Sequence, residues 1–379
     1  MQRVYLDNAA TTPMAPEVIK AMTDVLTNNF GNPSSTHRFG REAKAIIENA
    51  RRNIGAHINA APAEIIFTSG GTEADNMAIN SAVKDLGVTR IISTSIEHHA
   101  VGHTIDAHAE TEFVALSLCK KGNPDYIQLE ELLKDGKPTL VSLMHANNEI
   151  GTLLDIKRVS ELCRKYNAYF HSDTVQTMGH YNMDVKEMGC DFITCSAHKF
   201  HGPKGIGFLY VNKGLNVNPI IQGGSQERGK RGGTENISGI AGLNAAMDLA
   251  YEDVEGHEKH VSELKQYMIA QLKEQVPGVN FHGETDPNKS LYTVLNVCLP
   301  DFENKSMFLF LMDIEGVACS GGSACTSGSN TGSHVLRGID ADTNRPNVRF
   351  SFSRYTTKED IDFALSKVVK LVVEQNVTA

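Results

Sequence analysis

Two settings in this chain could support covalent chemistry. The first is Lys199, within Ser196-Ala197-His198-Lys199-Phe200-His201-Gly202-Pro203-Lys204-Gly205. Apolar runs on either side, Phe192 to Cys195 and Ile206 to Val211, read as buried strands, which puts Lys199 on a short rigid loop at a sheet edge. An amine held in a partly desolvated pocket loses its charge more readily and becomes a nucleophile able to form an imine with an aldehyde. The bland alternative is a solvated loop charge, for Lys199 as for Lys204. Ser196 and His198 supply donors suited to a phosphate, and Gly202, Pro203 and Gly205 fix a tight turn. The second setting is Cys325, in a run from Ser320 to Ser333 made almost entirely of small residues. Such a run cannot pack a core, so its thiol reads as an exposed nucleophile that visits a site and delivers what it collects.

The elements that must position these groups follow from the apolar pattern. Ile65 to Thr68 reads as a strand, Ser69-Gly70-Gly71-Thr72-Glu73 as a glycine-rich turn, and Ala74, Met77, Ala78 and Ala82 as the buried face of the next helix. Strand, glycines and helix start together form an anion site, because exposed N–H groups and the helix dipole point into the turn. Many such turns bind nothing, so the signal is weak alone. Further short strands end at Ser93, before Glu97-His98-His99; at Met144, before His145-Ala146-Asn147-Asn148-Glu149; and at His171, before Ser172-Asp173-Thr174-Val175-Gln176. Thr72, His98, Asn148, Asp173, Gln176, Ser196, His198 and Lys199 therefore all fall at or near strand ends. Open α/β sheets bind ligands at the carboxyl ends of their strands, so one crevice could hold them all.

Strand and helix alternate from about residue 65 to about residue 211, which predicts an α/β fold: a mostly parallel sheet with helices on both faces. Helices near 237 to 253 and 257 to 275 follow, then a small α+β domain with strands near Tyr292 to Cys298 and Asn347 to Ser353. The glycine-rich, basic loop from Gln222 to Asn236 reads either as solvated chain or as a phosphate contact reached from a second subunit.

Composition narrows the function classes. The 379 residues exceed one ordinary domain. A net charge of −9 without a basic run argues against a nucleic-acid or membrane-surface binder. The N-terminus lacks an apolar signal-peptide core and no apolar stretch reaches transmembrane length, so a cytoplasmic location is expected. Seven cysteines without a CxxC pair read as mostly core thiols. They also lack metal-ligand spacing, which weakens the alternative of an iron-binding or iron–sulfur scaffold and leaves no metal site expected.

These segments, from Tyr5-Leu6-Asp7-Asn8-Ala9-Ala10-Thr11-Thr12 to Arg349-Phe350-Ser351, resemble the cysteine desulfurases of the NifS/IscS type. These belong to the class V aminotransferases within the fold type I pyridoxal-phosphate enzymes. The resemblance implies an aspartate-aminotransferase-like, seven-stranded-type sheet, with a large cofactor domain over residues 16–255 and a small domain formed by 1–15 and 256–379. It implies that Lys199 carries pyridoxal 5'-phosphate and then moves the proton at the substrate α-carbon. Asp173 would pair with the ring nitrogen, Gln176 with the ring hydroxyl, and His98 would stack on the ring. Gly71, Thr72, Ser196 and His198 match the phosphate cup, with Thr234 donated by the other protomer of a homodimer. Asn148 and Arg349 match the groups that hold the substrate carboxylate, Arg354 being a second choice for the arginine. Cys325 matches the nucleophile that takes sulfur from L-cysteine as a persulfide and leaves alanine. The interval from Cys325 to Ser333-His334-Val335-Leu336 is similar to the longer-loop group, which passes sulfur to an iron–sulfur scaffold protein or another acceptor. Ala197 and Thr174 stand where the family commonly has glycine and alanine. A selenocysteine lyase or a small-substrate aminotransferase of the same fold is the alternative, and an aminotransferase would have no use for Cys325.

Overall fold

A computed structural model describes residues 2–321 and 332–374 of the chain. In chain order its elements are β1 (Val4–Tyr5), α1 (Pro16–Asn28), α2 (Arg38–His57), β2 (Ile65–Thr68), α3 (Gly71–Asp85), β3 (Arg90–Ser93), α4 (His99–Asp106), β4 (Glu112–Ala115), α5 (Tyr126–Leu133), β5 (Thr139–Ser142), α6 (Ile156–Lys165) and β6 (Tyr169–Asp173). They continue with α7 (Val185–Met188), β7 (Phe192–Ser196), β8 (Gly207–Val211), α8 (Ile237–Tyr251), α9 (Val254–Gln275), β9 (Asn280–His282), β10 (Val294–Cys298), α10 (Phe308–Ile314), β11 (Val317–Ala318), α11 (His334–Gly338), β12 (Asn347–Ser351) and α12 (Lys358–Val369).

The central sheet has seven strands in the order β2-β8-β7-β6-β5-β3-β4. Every pairing is parallel except the two made by β8, which runs antiparallel to both β2 and β7. Side chains of a strand alternate between faces, and here both faces are covered, so successive residues enter different cores. Ile65, Phe67, Ile92, Val141, Phe170 and Ile193 meet helices such as α2, α6 and α8, while Ile66, Ile91, Leu140 and Phe192 meet α3 and α4. This double burial is why the strands read as continuous apolar runs. The edge strand β4 does not, because Glu112, Phe113 and Ala115 are exposed, and the apolar pattern gave no sign of it.

A second core lies around the antiparallel sheet β12-β10-β9 with α9, α10 and α12. Val4 and Leu6 belong to this core, since β1 pairs with β11. Helix α9 starts earlier than the sequence suggested, because the Asp253 side chain accepts from Gly256 N at 3.0 Å and caps a helix that begins at Val254. The loop after Gln222 is fastened to the sheet by a buried ion pair. Arg51 on α2 donates to both carboxylate oxygens of Glu227, at 2.6 and 2.8 Å, and to Ile65 O. Glu227 also accepts from Phe67 N at 2.9 Å and sits at a φ of 47°, a left-handed conformation that needs such anchoring.

Glu227→Ala leaves the Arg51 guanidinium buried with Ile65 O and the partly exposed Glu48 as its remaining partners among the described residues. Removing one partner of a buried pair costs about 3 kcal/mol or more. The chemical unfolding midpoint is expected to fall accordingly, and a midpoint within error of wild type would show that the pair does not anchor the loop.

Candidate active site

The carboxyl ends of β6 and β7, the start of α3 and the N-terminal segment surround a cavity of about 480 Å³. At one end is the start of α3. Gly70 has a φ of 149°, open to glycine, and a Cβ on Gly71 would come within 2.8 Å of Val175 Cγ2. Thr72, Ser196, His198, Lys204 and Gly205 complete this part of the wall. A helix N-terminus ringed by hydroxyls, an imidazole and a lysine is chemically suited to a phosphate dianion. Arg231 braces the wall from outside, donating to Glu73 at 2.9 Å in the first turn of α3.

Lys199 follows β7 in one short 3₁₀ turn, Ala197–Lys199, and is half-buried. Its Nζ donates to the carbonyls of Ala9 and Ala10 at 2.6 and 2.9 Å. The same segment receives Gln176 Nε2 at Ala9 O, 3.1 Å away, and its Thr11 hydroxyl lies 3.1 Å from His198 Nδ1. The tight turn around Lys199 packs Gly202 directly on Ala197: a Cβ on Gly202 would fall 2.7 Å from Ala197 Cβ. Thr174 is fully buried and its hydroxyl donates to Thr194 O at 2.7 Å, so this polar side chain in the core is satisfied.

His98 caps α4 by accepting from Ala100 N at 3.1 Å, which fixes its ring in the cavity wall. Burial holds its pKa below the ordinary value, against the opposing pull of Asp173, so the ring is neutral near pH 7. Asp173 ends β6, accepts from Val175 N at 2.8 Å, and is pushed up to about 6 by burial and by the neighbouring Asp75. Asp75, on α3, is raised to about 7 by burial. Its Oδ1 lies 3.4 Å from His171 Nε2, itself depressed to about 4 by burial. Glu97 is raised to about 8, again chiefly by burial. A cavity wall holding the buried carboxyl groups of Asp75 and Asp173, with a neutral His171 near them, favours a bound cation. Together with the anion pocket at α3, this fits the protonated ring and the phosphate of pyridoxal phosphate.

At the opposite end is Arg349 on β12. Its guanidinium donates to Asp7 Oδ1 at 2.8 Å and to Asn148 O at 2.9 Å, and its side chain is 1% exposed. Arg349 and Asn148 both line the cavity, as does Glu149, which accepts from Ser333 Oγ at 2.5 Å. Arg354 is elsewhere, donating to Leu249 O.

Of the residues singled out in the sequence, Gly71, Thr72, His98, Asn148, Asp173, Gln176, Ser196, His198, Lys199 and Arg349 line this one cavity. Thr234 does not; it is exposed on the loop before α8. Cys325 lies outside the described residues. None of the six described cysteines lines the cavity. Cys319, near the second core, is a poor nucleophile, its thiol pushed up to about 12 by burial and by Asp7. Sequence reasoning overlooked Asp75, Glu149 and the Ala9 and Ala10 carbonyls. Asp75 had a usable signal, since a carboxylate beside the alanine-rich buried face of α3 needs a reason to be there.

Residues 4–363 match the family model Aminotransferase class-V. A relative named cysteine desulfurase IscS, from Dictyoglomus turgidum, is 42% identical over 379 residues, covering 98% of this chain and 95% of the relative. Among solved structures, a NifS-like protein superposes with a TM-score of 0.89 at 32% identity, covering 97% of this chain and 99% of its own. SspA in complex with cysteine superposes with a TM-score of 0.79 at 30% identity, covering 93% and 100%.

The buried acids carry a pH signature. Asp75 holds its proton more tightly folded than unfolded, where its ordinary value is 3.8, so its share of stability is lost as pH rises from about 4 to about 7. Asp75→Asn is free of that loss. Its melting temperature should therefore gain on wild type across this window and hold a constant lead above it. A lead independent of pH would show that Asp75 does not titrate in the folded chain.

Proposed function

The chain belongs to the class-V aminotransferase family and is a cysteine desulfurase, and from that premise we propose a pyridoxal-phosphate-dependent site in which Lys199 and Cys325 divide the chemistry. The observation that supports this reading most is the convergence of Lys199, Asp173, Gln176, Ser196, His198 and Arg349 on one cavity. When bound, pyridoxal phosphate supplies the electron sink for a carbanion at the substrate α-carbon. Gly71, Thr72, Ser196 and His198 would hold its phosphate, Asp173 its ring nitrogen, Gln176 its ring hydroxyl and Lys199 its aldehyde carbon, with His98 against the ring. Residues 16–255 form the cofactor domain in this reading, with 1–15 and 256–379 the small domain.

Arg349 and Asn148 orient L-cysteine by its carboxylate, the guanidinium offering the planar fork that suits two oxygens. The cysteine complex of the structural neighbour SspA fits the same substrate. Lys199 Nζ, once displaced by the substrate amine, then removes the proton at Cα. The Cys325 thiolate attacks the substrate sulfur: an S–S bond forms, the Cβ–S bond breaks, and its electron pair remains on the carbon side. Protonation at Cβ and Cα completes alanine, and Cys325 keeps the sulfur as a persulfide. An iron–sulfur scaffold protein or another sulfur acceptor in the cytoplasm takes it on. A homodimer is part of the proposal, because Thr234 is exposed in its own chain and suits a phosphate held by a second copy.

The test is turnover of labelled L-cysteine with alanine, sulfide and protein-bound persulfide measured together. Cys325→Ala is expected to keep the cofactor's visible absorbance and lose alanine and persulfide to background. Lys199→Ala should lose at least roughly 100-fold in rate, the scale of a missing acid–base group, along with the absorbance of the covalently held cofactor. Alanine formed at the wild-type rate by Cys325→Ala would remove that thiol from the mechanism and leave an enzyme of the aminotransferase kind.

A further inference from the structure

The buried guanidinium of Arg349 meets its carboxylate partner from outside the cavity. Asp7 is not among the cavity-lining residues, yet its Oδ1 lies 2.8 Å from Arg349 Nη2. Asp7 is placed there by backbone, not by its own side chain. Ser351 N donates to Leu6 O at 2.7 Å, Ala9 N donates to Ser351 Oγ at 2.9 Å, and Asp7 itself bridges Ser351 in parallel fashion. The Asp7 side chain is 20% exposed against 1% for Arg349, so the pair is held at low dielectric on one side only. The other acid near this guanidinium, Glu149, accepts from Ser333. The Asn148 carbonyl, on the second guanidinium edge, carries no charge.

A substrate carboxylate on the cavity side must therefore share one guanidinium with Asp7. Two anions about one cation repel each other, and the repulsion is felt strongly where water is scarce. We infer that Asp7 is a positioning residue that sets, through Arg349, how tightly the site holds an amino-acid carboxylate, keeping affinity low enough for the product alanine to leave. The inference rests on the reading that Arg349 takes the substrate carboxylate. It adds that the grip is deliberately weakened from behind.

L-Alanine and ethylamine form the discriminating pair, because ethylamine is alanine without its carboxylate. Both are titrated into the cofactor-loaded enzyme and followed by the change in cofactor absorbance, a readout that does not involve Cys325 or turnover. Asp7→Asn keeps an oxygen acceptor for Arg349 and removes the charge. It is expected to bind L-alanine about fivefold more tightly, the scale of one like charge a few ångströms beyond contact in a partly solvated site, with ethylamine unchanged. Asp7→Glu, which keeps the charge, should bind alanine as wild type does; Asp7→Ser, which removes the charge and should tighten alanine like Asp7→Asn, carries the test if the asparagine variant does not fold. Alanine binding in Asp7→Asn that is weaker or unchanged, or an equal shift for ethylamine, overturns the inference. Arg349→Lys separates this from the reading beneath it. If that substitution leaves the alanine-to-ethylamine ratio at its wild-type value, Arg349 is not the carboxylate site at all.

Discussion

The backbone of residues 7–12 is the joint on which the site depends. On one side its segment is hydrogen-bonded to β12 through Ser351; on the other its carbonyls at Ala9 and Ala10 accept from Lys199. Thr12 adds two more ties, its N–H and its hydroxyl both donating to His198 O at 2.9 Å. A carbonyl has two lone pairs and needs a donor when buried. By using a loop rather than a strand here, the chain leaves carbonyls unclaimed by any sheet and directs them at the Lys199 amine. The lysine and the arginine that line the cavity are thus referenced to one short piece of backbone.

That arrangement also explains what could be read from the sequence. Strands β2, β3, β5, β6, β7 and β8 are buried on both faces, so their apolar runs stand out, and residues just past their ends were natural candidates. Asp173 and Lys199 were legible for this reason. Strand β4 was not, because an exposed edge strand such as Glu112–Ala115 has no apolar signature. Asp7 is the more instructive omission. Its neighbours in sequence describe a turn, but its function depends on a residue 342 positions away. Local patterns do not encode such a pairing; only the addition of β1 to the second core brings the two together. Arg51 and Glu227 are hidden in the same way, 176 positions apart. Arg349, as opposed to Arg354, was singled out by resemblance in the motif and not by any property of the strand.

The glycine-rich settings separate into two kinds. Gly71 and Gly202 are packed so closely that a methyl group would collide with Val175 or Ala197, so there the absence of a side chain is a packing requirement. Gly70 and Gly205, with φ of 149° and 79°, meet little or nothing within reach of a Cβ, so their requirement is conformational. Gly70, Gly71 and Gly205 line the cavity itself, with Gly202 packed behind it. The first kind lets Val175 and Ala197 pack directly against the backbone at Gly71 and Gly202, and the second turns the chain so that Ser196 and Lys199 can face a common space.

The buried acids at this cavity carry an energetic cost that the neighbouring imidazole does not offset. Asp75 and Asp173 in the wall, and Glu97 behind it, are each shifted upward mainly by burial, and His171, 3.4 Å from Asp75, is shifted so far down that it is neutral near pH 7. A fold selected for stability alone would replace such carboxyl groups with apolar side chains of similar size. Keeping them makes physical sense if a cation enters the cavity, because the ionised acid then gains a partner at low dielectric and its proton affinity falls back toward the ordinary range. The same logic runs in reverse at Arg349, where a buried cation is already balanced by Asp7 before any carboxylate arrives. One end of the cavity is left hungry for positive charge and the other is kept nearly sated. A ligand with a cationic ring at one end and a carboxylate at the other is then held firmly where the cofactor stays and loosely where the amino acid must come and go.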